Sequence, residues 1–238
     1  MVHIVNIFFQ DIKNLGGIKL LNKCNSSVLS ILSSVYPEHN WLPWKFKKAT
    51  GGFWTMENQR KFMDWVKKEL SIKEMQDWYR ITIKDIRDLG GAGLLYSEYR
   101  NSPFLMLSTI YNEYEWLPWK FTIPPSGYWE NTENQLKFLE WAKKELNIKE
   151  YKDWYNISRN KLVELGGLGL LHSKYNDSTF SMLQSLYPEY EWLPWKFSKC
   201  PRGYWNNLSN FKKFFAWAGG ELNIKDKEDW YKVKREVR

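Results

Sequence analysis

Apolar residues recur at helical spacing through most of the chain. In segment 133–146 the aromatic and aliphatic residues fall on one face of a helix, and the lysines fall on the other. Segments 57–70 and 209–222 repeat this pattern. No segment shows the strict apolar–polar alternation, bounded by turn residues, that is typical of a strand. The pattern therefore predicts an all-α fold.

A shorter helix is predicted after each of three serines. Ser27, Ser102 and Ser178 each precede roughly ten residues with apolar positions at helical period, and serine is a good N-cap. These helices are predicted to end near Tyr36, Tyr111 and Tyr187. Upstream, short helical patterns flank a glycine pair at 16–17, 90–91 and 166–167. The pair lacks the Lys-Ser/Thr of a phosphate-binding loop, so we interpret it as a helix stop.

These patterns belong to a sequence repeat of about 76 residues that occurs three times in the chain. The hexapeptide Trp-Leu-Pro-Trp-Lys-Phe at 41–46 returns at 116–121 and at 192–197. Asp77-Trp78-Tyr79 recurs at 153–155 and 229–231. We therefore expect three tandem helical repeats, each with a helix-turn-helix-like core and a long C-terminal helix. The predicted modules are 1–76, with a degenerate start, 77–152, and 153–238, which ends in a partial fourth copy acting as a cap.

All 15 tryptophans occupy five columns of this repeat, which favours a structural role. Those at 65, 141 and 217 lie on apolar helix faces and are predicted to be core. Those at 44, 119 and 195 are the best candidates for partial exposure, where they could stack on unpaired bases, but the core reading is favoured there too. We interpret the hexapeptide as a brace between the serine-capped helix and the long helix.

The charge balance favours an acidic partner. Lys and Arg number 35 against 27 Asp and Glu, a formal charge of +8. Nucleic acid is the first candidate and an anionic membrane surface the second, although the charge could serve solubility alone. No apolar run approaches a membrane span, and no convincing signal peptide is present. We expect a protein without a membrane partner that is intracellular, and nuclear or organellar if it binds DNA.

Catalytic and metal-binding patterns are lacking in the sequence. The 2 cysteines and 3 histidines lie at unrelated positions of the repeat, without the spacing of zinc ligands. No Ser-His-acid set or close carboxylate pair is repeated. We therefore expect that the protein is not an enzyme and that it binds neither a cofactor nor a metal ion.

The serine-capped helix is the candidate recognition helix of a helix-turn-helix shape. Its apolar columns stay apolar, whereas the remaining positions are mostly short and polar. A groove-reading helix and a merely solvated face both have this composition, so the two readings stay open. The candidate positions are Ser30, Ser33 and Ser34, then Leu105, Ser108 and Thr109, then Ser181, Gln184 and Ser185.

Basic residues beside this helix are candidates for gripping phosphates. They are the lysine of each hexapeptide and its neighbours in modules one and three: Lys45, Lys120 and Lys196, with Lys47, Lys48, Lys199 and Arg202.

Two resemblances accompany these residues. The series Leu-Gly-Gly-x-Gly-Leu-Leu, Tyr-x-x-Ser, Tyr-Pro-Glu-Tyr and Trp-Leu-Pro-Trp-Lys-Phe resembles tandem Trp-rich repeat proteins of fungal and algal genomes over nearly the whole chain. That resemblance implies little about activity. The succession of a helix, a serine-capped helix and an aromatic-Trp pair is similar to small helical repeats associated with homing endonucleases and some helicases. This second similarity implies DNA binding.

Taken together, these features predict a non-catalytic, modular nucleic-acid-binding protein that prefers double-stranded DNA. Two alternatives stay open: binding of RNA or single strands by aromatic stacking, and a repeat scaffold that binds a protein partner.

Overall fold

The computed structural model describes residues 9–23, 27–46 and 52–233. These residues form helices joined by turns, with no strand among them, so the all-α prediction is confirmed. Within the same ranges, no helix has both the length and the apolar character to cross a bilayer. The chain divides into two compact units, Met1–Ser126 and Gly127–Arg238. The three module boundaries inferred from the sequence stay a prediction.

The helices of both units follow the predicted order, with short 3₁₀ turns at each hexapeptide and each Asp-Trp-Tyr triplet. In the first unit they are α1 (Phe9–Asn14), α2 (Ile18–Lys23), α3 (Val28–Val35), α4 (Met56–Glu69), α5 (Ile83–Ile86), α6 (Ala92–Tyr99) and α7 (Pro103–Ile110). In the second unit they are α8 (Thr132–Glu145), α9 (Arg159–Leu162), α10 (Leu168–Tyr175), α11 (Thr179–Leu186) and α12 (Leu208–Glu221).

The predicted serine caps are present on α3, α7 and α11. The hydroxyl oxygens of Ser27, Ser102 and Ser178 accept hydrogen bonds from the backbone N–H groups three residues further on, at 3.2, 3.3 and 3.1 Å. Each bond satisfies one of the N–H groups that a helix start leaves without an intrahelical partner. The helices end at Val35, Ile110 and Leu186, directly before the predicted tyrosines.

The glycine pairs stop helices as predicted, and they also allow a close approach. Gly90 and Gly166 have φ values of 95° and 99°, a left-handed conformation that other residues rarely adopt. A β-carbon on Gly90 would lie 2.2 Å from the carbonyl oxygen of Trp44. A β-carbon on Gly91 would lie 2.7 Å from the ring of Phe62 on α4. The pair therefore lets the hexapeptide and the long helix pack directly on this turn.

The hexapeptide behaves as a brace. The indole N–H of Trp41 donates to the carbonyl of Tyr36 at the end of α3, and the ring of Trp44 packs on Phe62 of α4 with centroids 5.4 Å apart. The next copy is also tied to the Asp-Trp-Tyr triplet, because the backbone N–H of Leu117 donates to the hydroxyl of Tyr79 at 3.0 Å. The corresponding bond in the second unit joins Leu193 to Tyr155 at 2.9 Å.

Two of the three long helices, α4 and α8, pack against helices that belong to the following copy of the repeat. In the first unit Met63 on α4 and Leu107 on α7 are fully buried members of one core. The hydroxyl of Tyr99 on α6 donates to the side-chain oxygen of Gln59, a buried polar residue of α4. In the second unit α8 packs against α11, and Tyr175 donates to Gln135 in the same way. The core of each unit thus joins residues of two consecutive predicted modules.

The tryptophans are mainly structural, but their burial differs from the prediction in one column. Trp44 and Trp119 are buried, in line with the favoured core reading, and Trp195 is half-buried. Trp65, Trp141 and Trp217, predicted to be core, are half-buried. The reason is visible at Trp65 and Trp217, because a hexapeptide lysine and not an apolar side chain covers the outer side of the ring.

Candidate nucleic-acid interface

The structure places most of the candidate reading positions on the solvent side of their helices. On α3 and α7 the exposed positions are Ser30, Ser33, Ser34, Leu105 and Thr109, and Ser108 is half-buried. On α11 Gln184 and Ser185 are exposed and Ser181 is half-buried. Exposure of this face is required for groove reading, and a solvated face has it equally.

Several of these hydroxyl groups donate hydrogen bonds within their own helix. Ser34 donates to the carbonyl of Ser30 at 3.0 Å, and Thr109 donates to the carbonyl of Leu105 at 2.7 Å. A hydroxyl that donates in this way keeps lone pairs that can accept a further bond. Gln184 is the longest side chain of the set and carries both donors and an acceptor. It is therefore the reading position with the most recognition capacity.

The hexapeptide lysines lie over aromatic rings. The ammonium nitrogen of Lys45 is 5.1 Å from the ring centre of Trp65 on α4, and that of Lys196 is 4.9 Å from the ring centre of Trp217 on α12. Lys120 lies 5.9 Å from the ring centre of Tyr79. Such contacts stabilise packing while the charged group stays in water. Lys45 and Lys196 thus hold positive charge beside α4 and α12, and Lys120 holds it beside the Asp-Trp-Tyr triplet.

The remaining basic candidates divide between two places. Lys47 and Lys48 lie outside the described residues. Lys199 and Arg202 are exposed and line a cleft of about 270 Å³ in the second unit. The cleft lies between the first residues of α9, the first residues of α11 and the segment 197–202.

An arginine that the sequence analysis did not single out forms the wall of this cleft. The Arg159 guanidinium donates two hydrogen bonds to one oxygen of Asp177, at 3.0 and 2.6 Å, and the other oxygen lies 3.2 Å from the ring of His172. The hydrogen bonds from Arg159 have the largest effect and the contact with His172 the next largest, and together they hold the pKa of Asp177 below its ordinary value of 3.8. The signal that could have revealed Arg159 is its place directly after the Ser158 cap, where the preceding copy has Ile83.

The cleft carries an excess of positive charge. Asp177 is matched by Arg159, whereas Lys199 and Arg202 form no ion pair with any residue in the described ranges. Cys200 also lines the cleft, and partial burial raises the pKa of its thiol, so this cysteine is not an activated nucleophile. The chemistry of the cleft is therefore suited to binding an anion.

The first unit has a cleft at the equivalent place, and its lining is mainly apolar, with Lys84 as the one charged residue. It measures about 150 Å³ and is lined by Ile83 and Ile123, where the second unit has Arg159 and Lys199. Ser126 stands at the position of Arg202. Two copies of one repeat thus present the same local shape with different chemistry.

Comparisons of the chain with protein-family models, curated proteins and solved structures gave no match. The two resemblances drawn from the repeat motifs stay predictions.

Proposed function

We propose that this chain is a non-catalytic, modular nucleic-acid-binding protein that prefers duplex DNA. The observation that carries the proposal is the basic cleft of the second unit. Two cations without an ion-pair partner in the described ranges, Lys199 and Arg202, lie beside the first residues of α11. The exposed face of α11 carries Gln184 and Ser185. Phosphate contacts would thus be adjacent to a helix face with side chains that can bond to bases.

The lengths of the elements support a helix-turn-helix reading. Helices α10 and α11 have 8 residues each and are joined by residues 176–178. Asn176 and Asp177 have left-handed φ values of 47° and 60°, which turn the chain sharply between the two helices. In helix-turn-helix proteins the second helix enters the major groove and its first residues face the bases. In this chain α11 would be that helix.

The first unit would contribute differently. It has the same pair of helices, α6 and α7, but its cleft has Ile83 and Ile123 at the positions of Arg159 and Lys199, and Lys84 is the one cation among the residues that line it. We infer that the second unit supplies most of the phosphate contacts and that α7 adds only weak contacts through Thr109 and Leu105. In this proposal the three sequence copies act as three structural repeats, and a nuclear or organellar location accompanies the DNA-binding role.

The test is a titration of a fluorescently labelled duplex of mixed sequence with the full chain, followed by anisotropy at low and at moderate salt. We expect binding whose logarithm falls linearly with the logarithm of salt concentration, with a slope of about −0.9 for each phosphate neutralised. The absence of any anisotropy change at low salt, for every duplex tried, would overturn the proposal.

The aromatic-stacking alternative depends on the few exposed rings. Of the 15 tryptophans 7 are buried and 7 are half-buried, and Trp205, beside α12, is the exposed one among those described. A labelled single strand that binds more tightly than the duplex and strongly quenches tryptophan fluorescence would favour this alternative. Our proposal predicts weaker single-strand binding and little quenching.

A further inference from the structure

Helix α12 exposes a face that both of its counterparts bury. Phe215 on α12 is 50% exposed, whereas the equivalent residues Met63 on α4 and Leu139 on α8 are fully buried. Phe211 on the same face is exposed, whereas the equivalent Gln59 and Gln135 are buried. Leu208 and Leu222 extend the exposed apolar face of α12 at positions that are exposed on α4 too. Trp230, from the partial fourth copy, packs on one side of Phe215 with ring centroids 5.3 Å apart, and it leaves this face open.

The cover over α4 and α8 comes from the helices of the next copy. Helix α7 packs on α4, and α11 packs on α8. Polar contacts surround these apolar ones. In the first unit Arg60 on α4 pairs with Glu113 at 3.3 Å, and in the second unit Tyr187 donates to Glu140 on α8 at 3.0 Å. The chain therefore makes one type of interface twice, each time between a long helix and the serine-capped helix that follows it.

The other half of this interface is exposed on α2 and α3. Val35 at the end of α3 is 59% exposed, whereas its equivalent Ile110 is fully buried against α4. Leu20 and Tyr36 are exposed too, although the equivalent Leu94 is fully buried and Tyr111 is half-buried. In the part of the chain that the structure describes, no long helix covers α3.

The substitutions on the two exposed faces match each other. Where Gln59 and Gln135 bond to Tyr99 and Tyr175, α12 has Phe211, and the sequence between Leu21 and Ser27 offers no tyrosine to bond to. An apolar residue thus replaces the glutamine in the copy whose partner surface lacks the hydroxyl.

The charges match as well. Lys212 occupies the position of Arg60, and Glu38 occupies the position of Glu113. Both side chains are exposed and neither forms an ion pair within the described ranges. Lys212 and Glu38 are therefore available to reproduce the pair that Arg60 and Glu113 make inside the first unit.

We propose that α12 of one molecule docks on α2 and α3 of a second copy of this chain. The contact repeats the interface between α4 and α7. It joins two different surfaces, so it is heterologous: it leaves one α12 and one α3 free in every dimer, and it continues into rings or open chains. This association needs no nucleic acid and stands apart from the proposed function.

The experiment uses two variants of the full chain, each with a glutamate on one of the two faces. Val35→Glu blocks the α3 face, and Phe215→Glu blocks the α12 face; both positions are exposed, so the isolated fold tolerates the charge. Sedimentation velocity should show wild type growing beyond a dimer as concentration rises. Each variant alone should stay monomeric, with association weakened about 30-fold or more, the factor of an interface hot spot.

Mixing the two variants gives the decisive result. Val35→Glu keeps a working α12 and Phe215→Glu keeps a working α3, so the mixture should form a one-to-one dimer and stop there. Ile123→Glu, at an exposed apolar position that belongs to none of α2, α3 and α12, should assemble like wild type. Lys212→Glu and Glu38→Lys should each weaken assembly, and a chain carrying both should recover it.

Three results would overturn the inference. They are a wild type that stays monomeric at every concentration, a Val35→Glu variant that assembles as well as wild type, and a mixture that stays monomeric while wild type assembles. Circular dichroism of each variant confirms that it is folded before its assembly is scored.

Discussion

The carbonyl oxygen of Trp44 lies where a side chain at Gly90 would begin: a β-carbon on residue 90 would be 2.2 Å from it. Glycine is therefore required at position 90 for two reasons: its φ of 95° is left-handed, and the Trp44 carbonyl oxygen leaves no room for a β-carbon. This contact joins the first hexapeptide to the turn between α5 and α6.

We expect Gly90→Ala to destabilise the first unit by about 2–4 kcal/mol. Left-handed strain on alanine costs about 1 kcal/mol, and overpacking against a backbone atom adds about 1–3 kcal/mol. Urea unfolding followed by tryptophan fluorescence measures the loss. Gly127→Ala is the matched control, because Gly127 has a φ of 71° but nothing within 4 Å of the new β-carbon. Equal losses for the two variants would show that the contact with Trp44 does not matter.

We expect Tyr99→Phe to cost about 1–2 kcal/mol of unfolding free energy, because it removes the donor to a buried glutamine oxygen. Gln59 also donates to the carbonyl of Trp54 at 2.8 Å, so it cannot turn its oxygen to water without losing that bond. Tyr96→Phe, on the same helix but at a position that is 76% exposed, should leave stability unchanged. Thermal unfolding of the two variants and of wild type measures the difference. A Tyr99→Phe curve identical to that of wild type would contradict the prediction.

The ion pair in the cleft makes stability depend on pH in a defined window. The folded-state pKa of Asp177 is lowered, chiefly by Arg159, so its contribution is fully present above the unfolded value near 3.8 and is lost as pH falls through the folded value. Asp177→Asn should therefore be less stable than wild type at neutral pH, and the difference should shrink on going to pH about 3. Urea unfolding at both pH values tests this. A stability difference that does not shrink at the acid pH would show that the lost stability comes from something other than the charge of Asp177.

The contrast between the two clefts predicts the effect of exchanging their residues. The double substitution Lys199→Ile with Arg202→Ser gives the second unit the residues that the first unit has at these two positions, Ile123 and Ser126. It should weaken duplex binding and flatten the salt dependence by about 2 in slope, one for each phosphate contact. Anisotropy titrations over a range of salt measure both. Lys225→Ile, a lysine change outside the cleft, serves as the control.

The reverse exchange completes the comparison. Ile123→Lys with Ser126→Arg should strengthen duplex binding and steepen the salt dependence. If neither exchange changes the slope, the cleft is not where phosphates bind, even if the chain binds DNA elsewhere.

Much of the fold was predictable from residues a few positions apart. The cap at Ser102, the stop at Gly90 and the turn forced by Pro118 depend on hydrogen bonds and backbone conformations within about four residues, which the sequence displays directly. The brace role of the hexapeptide also followed, because its tryptophans recur in fixed columns beside predicted helix ends.

The candidate site was less predictable. Lys199 and Arg202 could be proposed from their charge, but Arg159 lies about 40 residues earlier in the chain and reaches the same cleft only through the packing of α9 beside α11. The stacking of Lys196 on Trp217 was missed for the same reason, since the two residues lie on separate elements.

The sequence by itself determined the helical class, the serine caps, the glycine turns and the threefold repetition of the pattern. The tertiary structure alone decided which copy covers which long helix, and hence that Met63 is buried while Phe215 is exposed. The reason is physical: helix formation and capping depend on local bonds, whereas burial depends on what packs opposite a face. The similar helical patterns at 57–70 and 209–222 meet different neighbours.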